Sequence, residues 1–201
     1  MDLTLEDLTL LEKNLKQCAD LLSEKNEKDR RVLYAWSEYY VALRIKQQHP
    51  DWGVKVRGWA INSADVVCQR GDGASVLVQV KTGMWKKYKF GSDAFCSADA
   101  SFGKGTQISG RKFHYLVFLT TIFTEVIDTL IFSIRELNQI GARPGMAQNS
   151  EGNSWFLSRA DSIEKWERWL KFKNINEPIY DVERDIAENP FSYKDRWDKI
   201  M

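Results

Sequence analysis

The hydrophobic period of this chain changes at Pro50, from helical to two. Upstream, Leu8, Leu11, Leu15, Cys18 and Leu22 recur at spacings of three and four, which predicts an amphipathic helix over 3–24 with those residues on one face. After the polar stretch 23–30, Val32, Leu33, Trp36, Tyr40 and Leu43 mark the stripe of a second helix over 30–48. His49-Pro50 ends it, because a residue before proline avoids the helical region. Downstream, 52–59 alternates like a half-buried strand, and 64–69 is a short apolar strand with Asp65 near its beginning. Arg70-Gly71-Asp72-Gly73-Ala74 predicts a hairpin turn, and Val76–Lys81 the returning strand, closed by Thr82-Gly83.

The remainder is coarser. Residues 84–112, rich in Gly, Ser and Lys with interspersed aromatics, predict a long functional loop with one short helix. Tyr115–Thr120 and Thr129–Ile134 read as buried strands, followed by a short helix near 135–140. Residues 142–153 read as a Gly/Asn loop, Trp155–Leu157 as a short edge strand, and 161–172 as an amphipathic helix. The tail packs through Trp197. The expected class is α/β, of the α+β kind. A helix occupies 1–28, a core 29–172, and a helical or irregular tail 173–201.

Composition excludes more than it assigns. A hydrophobic fraction of 43% and a charged fraction of 28% are those of a globular chain, not a disordered one. No run of 18 apolar residues occurs, so no ordinary membrane span is expected. The start is acidic and lacks the basic-then-apolar pattern of a signal peptide, which predicts a cytosolic protein. Cys18, Cys68 and Cys96 are odd in number and form no CxxC pair, so they read as free thiols. His49 and His114 are isolated and read as structural.

Net charge is +1, but its distribution is uneven. Residues 1–30 sum to −3, whereas 81–115 carry Lys81, Lys86, Lys87, Lys89, Lys104, Arg111 and Lys112 against two acids, a sum of +5. A local basic segment on a neutral protein is a footprint for a polyanion, or else a solvated face.

The chemistry concentrates on the hairpin. Residues i and i+2 of a strand share a face, so Gln79 and Lys81 project together and Val80 points to the core. Pairing centred on Asp72 puts Asp65 opposite Gln79. A carboxylate, an amide and an ammonium then meet at one spot, with Glu38 arriving from the preceding helix. Oxygen donors there suit Mg²⁺, with Mn²⁺ able to substitute: Asp65 as charged ligand, the Gln79 side-chain carbonyl, the Val80 backbone carbonyl, and Glu38 directly or through water. Lys81 is placed to orient water and offset phosphate charge.

These residues resemble the PD-(D/E)xK nuclease superfamily, the restriction-endonuclease-like fold. Gln79-Val80-Lys81 is similar to the QxK variant of Mrr-type restriction nucleases. The resemblance covers roughly 30–135 and rests on Glu38, Asp65, Gln79 and Lys81. It implies a central mixed sheet flanked by helices and a metal-dependent endonuclease acting on DNA, with RNA left open. A role in restriction or defence and a homodimer fit the same resemblance. Lys86, Lys87, Lys89, Lys104, Arg111 and Lys112 are then the expected phosphate contacts, with Trp85 and Tyr88 as stacking rings. The chain departs from the family in having Gln79 for the usual second acid. A unit charge pair at about 4 Å is worth roughly 4 kcal/mol at an effective dielectric of about 20, so metal binding is expected to be weak and substrate-dependent. The missing acid also motivates a second reading, a non-catalytic binding module on the same fold. A third reading is an interaction protein that dimerises through the 3–24 helix.

Overall fold

A computed structural model describes residues 2–24, 30–57, 64–90, 93–102, 113–139, 146–149, 152–160 and 195–201. Two helices open it, α1 (Leu5–Glu24) and α2 (Arg31–Gln48). The strands β1 (Gly53–Val56), β2 (Val66–Gln69), β3 (Ser75–Met84), β4 (Lys86–Phe90) and β5 (Asp93–Phe102) follow. Then come β6 (Tyr115–Ile122), β7 (Glu125–Ser133), α3 (Ile134–Gln139), β8 (Met146–Asn149) and β9 (Gly152–Ala160). A 3₁₀ turn, Trp197–Lys199, ends the chain. None of the described helices is long and apolar enough to cross a membrane.

α1 and α3 begin where side chains satisfy the first N–H groups, whereas Arg30, at the start of α2, makes no side-chain cap. The Thr4 hydroxyl accepts from Asp7 N–H at 3.1 Å, and the Asp7 carboxylate accepts from Thr4 N–H at 3.0 Å, a reciprocal cap at the start of α1. Ser133 and Glu136 repeat the arrangement for α3. The cap holds the Asp7 carboxyl below its usual range, through the Thr4 hydrogen bonds.

The central sheet has five strands in the order β1-β2-β3-β6-β7, antiparallel except for the parallel pair β3–β6. It is a mixed sheet with helices, an α+β architecture. Strand alternation divides it cleanly. Val76, Val78 and Val80 of β3, with Val117 and Leu119 of β6, face the core that Val41, Ala42 and Ile45 of α2 complete. Leu116, Phe118, Leu130 and Phe132 occupy the other face and are also fully buried.

Parallel strands need a long crossover, usually helical. Here residues 85–114 make it, and they include β4 and β5 of a second sheet ordered β4-β5-β9-β8. Several expectations are corrected at this point. β4 and β5 pair as antiparallel strands, where a loop with a helix was expected. The expected loop over 142–153 contains β8 and the start of β9. β9 spans nine residues and sits inside its sheet, not at an edge. β3 runs to Met84 instead of closing at Thr82-Gly83. These strands pair with partners distant in sequence (Ser97 with Ala160, for example), a fact no local pattern carries. The helix expected over 161–172 lies outside the described residues.

α1 is fastened along its length. Leu8 enters the core, Trp36 Nε1–H donates to Glu12 at 2.7 Å, and the Thr124 hydroxyl donates to Asp20. The expected apolar face is rotated slightly: Ala19 is buried and Cys18 is exposed. At the other terminus Trp197 and Ile200 join the core, with Trp197 edge-on to Tyr40 at 6.5 Å and Arg44 over its ring. Lys199 pairs with Glu136. Trp197 therefore closes the core beside α2, and Trp197→Ala is expected to cost about 3–5 kcal/mol in urea unfolding. A loss below about 1 kcal/mol contradicts that place in the core.

Candidate active site

The hairpin between β2 and β3 turns at Gly73, whose φ of +83° is in the left-handed region that favours glycine. Its register runs from Gln69 opposite Ser75 to Val66 opposite Val78. The next pair along is Asp65 and Gln79, as the sequence predicts. Here the ladder ends. The Asp65 carbonyl still accepts from Arg57 N–H at 2.8 Å, so β1 stays alongside. On the β3 side a carboxylate replaces the backbone: Asp65 Oδ2 accepts from Val80 N–H at 2.7 Å and from the Gln79 side-chain amide. Gln79 is buried, so its amide needs such a partner.

Lys81 follows two residues later on the same face of β3 and is half-buried. Glu38 stands on α2, also half-buried. Its carboxyl is pushed up to about 7, first by burial and then by the Asp65 charge, while Lys81 pulls it back. Glu38, Asp65 and Lys81 thus lie within one electrostatic neighbourhood, although Glu38 belongs to the helical side and Lys81 to the opposite face of β3.

The donors suit a hard divalent cation. Asp65 and Glu38 offer carboxylate oxygens and Gln79 an amide oxygen. N–H and C=O of one strand residue leave on the same edge, so the Val80 carbonyl leaves on the edge where its N–H meets Asp65. One feature opposes immediate coordination: Gln79 presents its NH₂ to Asp65, not its oxygen. Turning the amide over puts two acceptors face to face, an arrangement that a cation between them stabilises. Among the described residues no three His, Cys, Asp or Glu gather as metal ligands.

The expected nucleic-acid contacts are distributed more widely. Trp85 is half-buried, and its backbone N–H donates to the Thr121 carbonyl at 2.8 Å. Lys86, Lys87, Tyr88 and Lys89 lie on β4, at the end of its sheet among the described strands. Lysines also serve to blunt exposed strand edges. Lys104, Arg111 and Lys112 lie outside the described residues.

The histidines are structural. His114 Nδ1 accepts from Leu77 N–H at 3.0 Å, and His49 stacks on Trp52 at 4.0 Å. Asp128 was not singled out by the sequence. It is a buried carboxylate on β7, opposite Thr120 and on the same sheet face as Gln79 and Lys81. An acid inside the otherwise apolar run of β7 was its available signal. Comparison of the chain with protein-family models, with curated proteins and with solved structures finds no match.

Because folding raises the Glu38 pKa from 4.5 to about 7, the folded state favours its protonated form. The associated stability is full below the unfolded value and is lost as pH rises through the folded one. Glu38→Gln, which cannot ionise, is expected to melt higher than wild type at a pH above 7, with little difference near pH 4.5. Thermal unfolding followed by circular dichroism reads this. The same difference at both pH values contradicts burial of the carboxyl.

Proposed function

We propose that this protein is a metal-dependent nuclease of the PD-(D/E)xK kind, with a restriction-endonuclease-like core, hydrolysing phosphodiester bonds in DNA. The observation that carries the reading is the meeting of Asp65, Gln79 and Val80 at the end of the β2–β3 ladder, with Lys81 and Glu38 in the same electrostatic field. Mg²⁺ held by Asp65, Gln79, Val80 and Glu38 would polarise the phosphate and acidify water. Lys81 orients the attacking water and offsets charge on the phosphate. Lysines of β4, the strand that follows β3 in the chain, are the proposed phosphate contacts.

A second reading, a non-catalytic nucleic-acid or protein-binding module, is favoured by one observation: the Gln79 amide gives its N–H, not its oxygen, to Asp65.

Supercoiled plasmid incubated with Mg²⁺, Mn²⁺ or EDTA separates the two. Metal-dependent nicking or linearisation is expected for the wild type and is lost in Asp65→Ala. Lys81→Ala is expected to lose cleavage by at least about a hundredfold while still binding DNA. Full activity in Lys81→Ala removes that residue from the mechanism, and salt-sensitive binding with no cleavage selects the binding module. Mg²⁺ alone is expected to bind weakly, since Gln79 supplies no charge. Submicromolar affinity in calorimetry contradicts this site.

A further inference from the structure

The hairpin joining β6 to β7 breaks two rules at once. Its two-residue turn, Phe123-Thr124, places Phe123 at φ +52°, a conformation that such turns normally give to Gly, Asn or Asp. A bulky side chain there is strained. Next to the turn the register slips between Thr120 and Thr121: Thr120 pairs with Asp128 and Thr121 with Val126, leaving Ile127 as the extra residue of a bulge. Both irregularities serve apolar side chains that face water. Phe123 is 52% exposed, Ile127 44% and Ile122 43%. Strain kept in an exposed apolar residue is characteristic of a functional position rather than a packing one.

The tip stands at the site's end of the sheet. Lys81 is opposite Phe118, and Met84 opposite Thr121, so Phe123 lies five residues beyond the row of Lys81. At a rise of about 3.3 Å per residue that is roughly 17 Å along the strand. The hydrogen bond from Trp85 N–H to the Thr121 carbonyl joins the tip to the start of β4, the strand that bears Lys86, Lys87 and Lys89. Three exposed side chains around one tight turn form a knob. A stable protein interface needs about 800 Å² from each partner, whereas a wedge between two base steps needs only a few apolar side chains.

We propose that the β6–β7 tip is a nucleic-acid wedge, with Phe123 inserting beside a base away from the scissile phosphate. The inference rests on the nuclease reading and names how that enzyme grips its substrate. The protein keeps phenylalanine where glycine relieves strain, because the ring does work on the substrate that glycine cannot.

That exchange is the test. Phe123→Gly removes the ring at a position where glycine is the favoured residue, so its melting temperature is expected to equal or exceed that of the wild type. Duplexes and single strands carrying 2-aminopurine are titrated with wild type, Phe123→Gly and Phe123→Tyr, in EDTA so that no cut intervenes. The wild type is expected to change the 2-aminopurine fluorescence. Phe123→Gly is expected to lose that signal and bind about tenfold more weakly, with its salt dependence unchanged, and Phe123→Tyr to restore both. Salt-dependent binding with no signal, or the same signal and affinity in Phe123→Gly, overturns the wedge and leaves the nuclease reading standing. No salt-dependent binding and no plasmid cleavage by the wild type overturns both. Leu21 of α1 is exposed near this tip, one residue past the Asp20 that bonds Thr124. A wild-type dimer in sedimentation that becomes a monomer in Phe123→Gly, with DNA binding unchanged, makes the tip a contact between copies and overturns the wedge.

Discussion

One carboxylate ends a strand pair and gathers the candidate site. In a continued β2–β3 ladder the Val80 N–H would meet a backbone carbonyl of β2. Asp65 puts a side-chain oxygen there instead, and the same oxygen takes the amide of Gln79. A hydrogen bond to a charged acceptor is stronger than the neutral backbone bond it replaces. Without it, a backbone N–H and a buried amide lose their acceptor, each at about 1–3 kcal/mol. The ladder can therefore end at this point with its polar groups satisfied.

The rest of the fold holds that point still. β3 is the longest described strand of the central sheet, paired on one side with β2 and on the other with β6. α2 carries Glu38 and is itself held by Glu12 of α1, through Trp36, and by Trp197 of the carboxyl-terminal turn, through Tyr40. The chain termini thus stabilise the helix that sets the Glu38 carboxyl beside Asp65 and Lys81. Burial of Glu38 is costly to the ionised acid, and that cost tunes its proton affinity to the neutral range.

The elements that were hardest to read are those with no local reason to exist. β5 has the sequence DAFCSADASF, without a single β-branched residue, and alone it has poor strand propensity. It is a strand because β4 and the distant β9 supply its hydrogen-bond partners. The same holds for the bulge at Ile127: nothing in Glu125–Ser133 announces where the register slips. Cys18 and Ala19 exchange places on α1 for a related reason. Periodicity locates an apolar face to within one position, and packing against α2 selects which neighbour is buried.

By itself the sequence determined the local items: two helices ended by His49-Pro50, a hairpin centred on Asp72, and so the opposition of Asp65 and Gln79. Local backbone preferences and strand alternation suffice for those, because the residues involved are within one hairpin. Only the tertiary structure decided that Glu38 shares their electrostatic field, that Gln79 offers nitrogen rather than oxygen to Asp65, and that a second sheet replaces the expected loop. Each of these depends on contacts between segments far apart in the chain, where packing and hydrogen-bond satisfaction, not propensity, select the outcome.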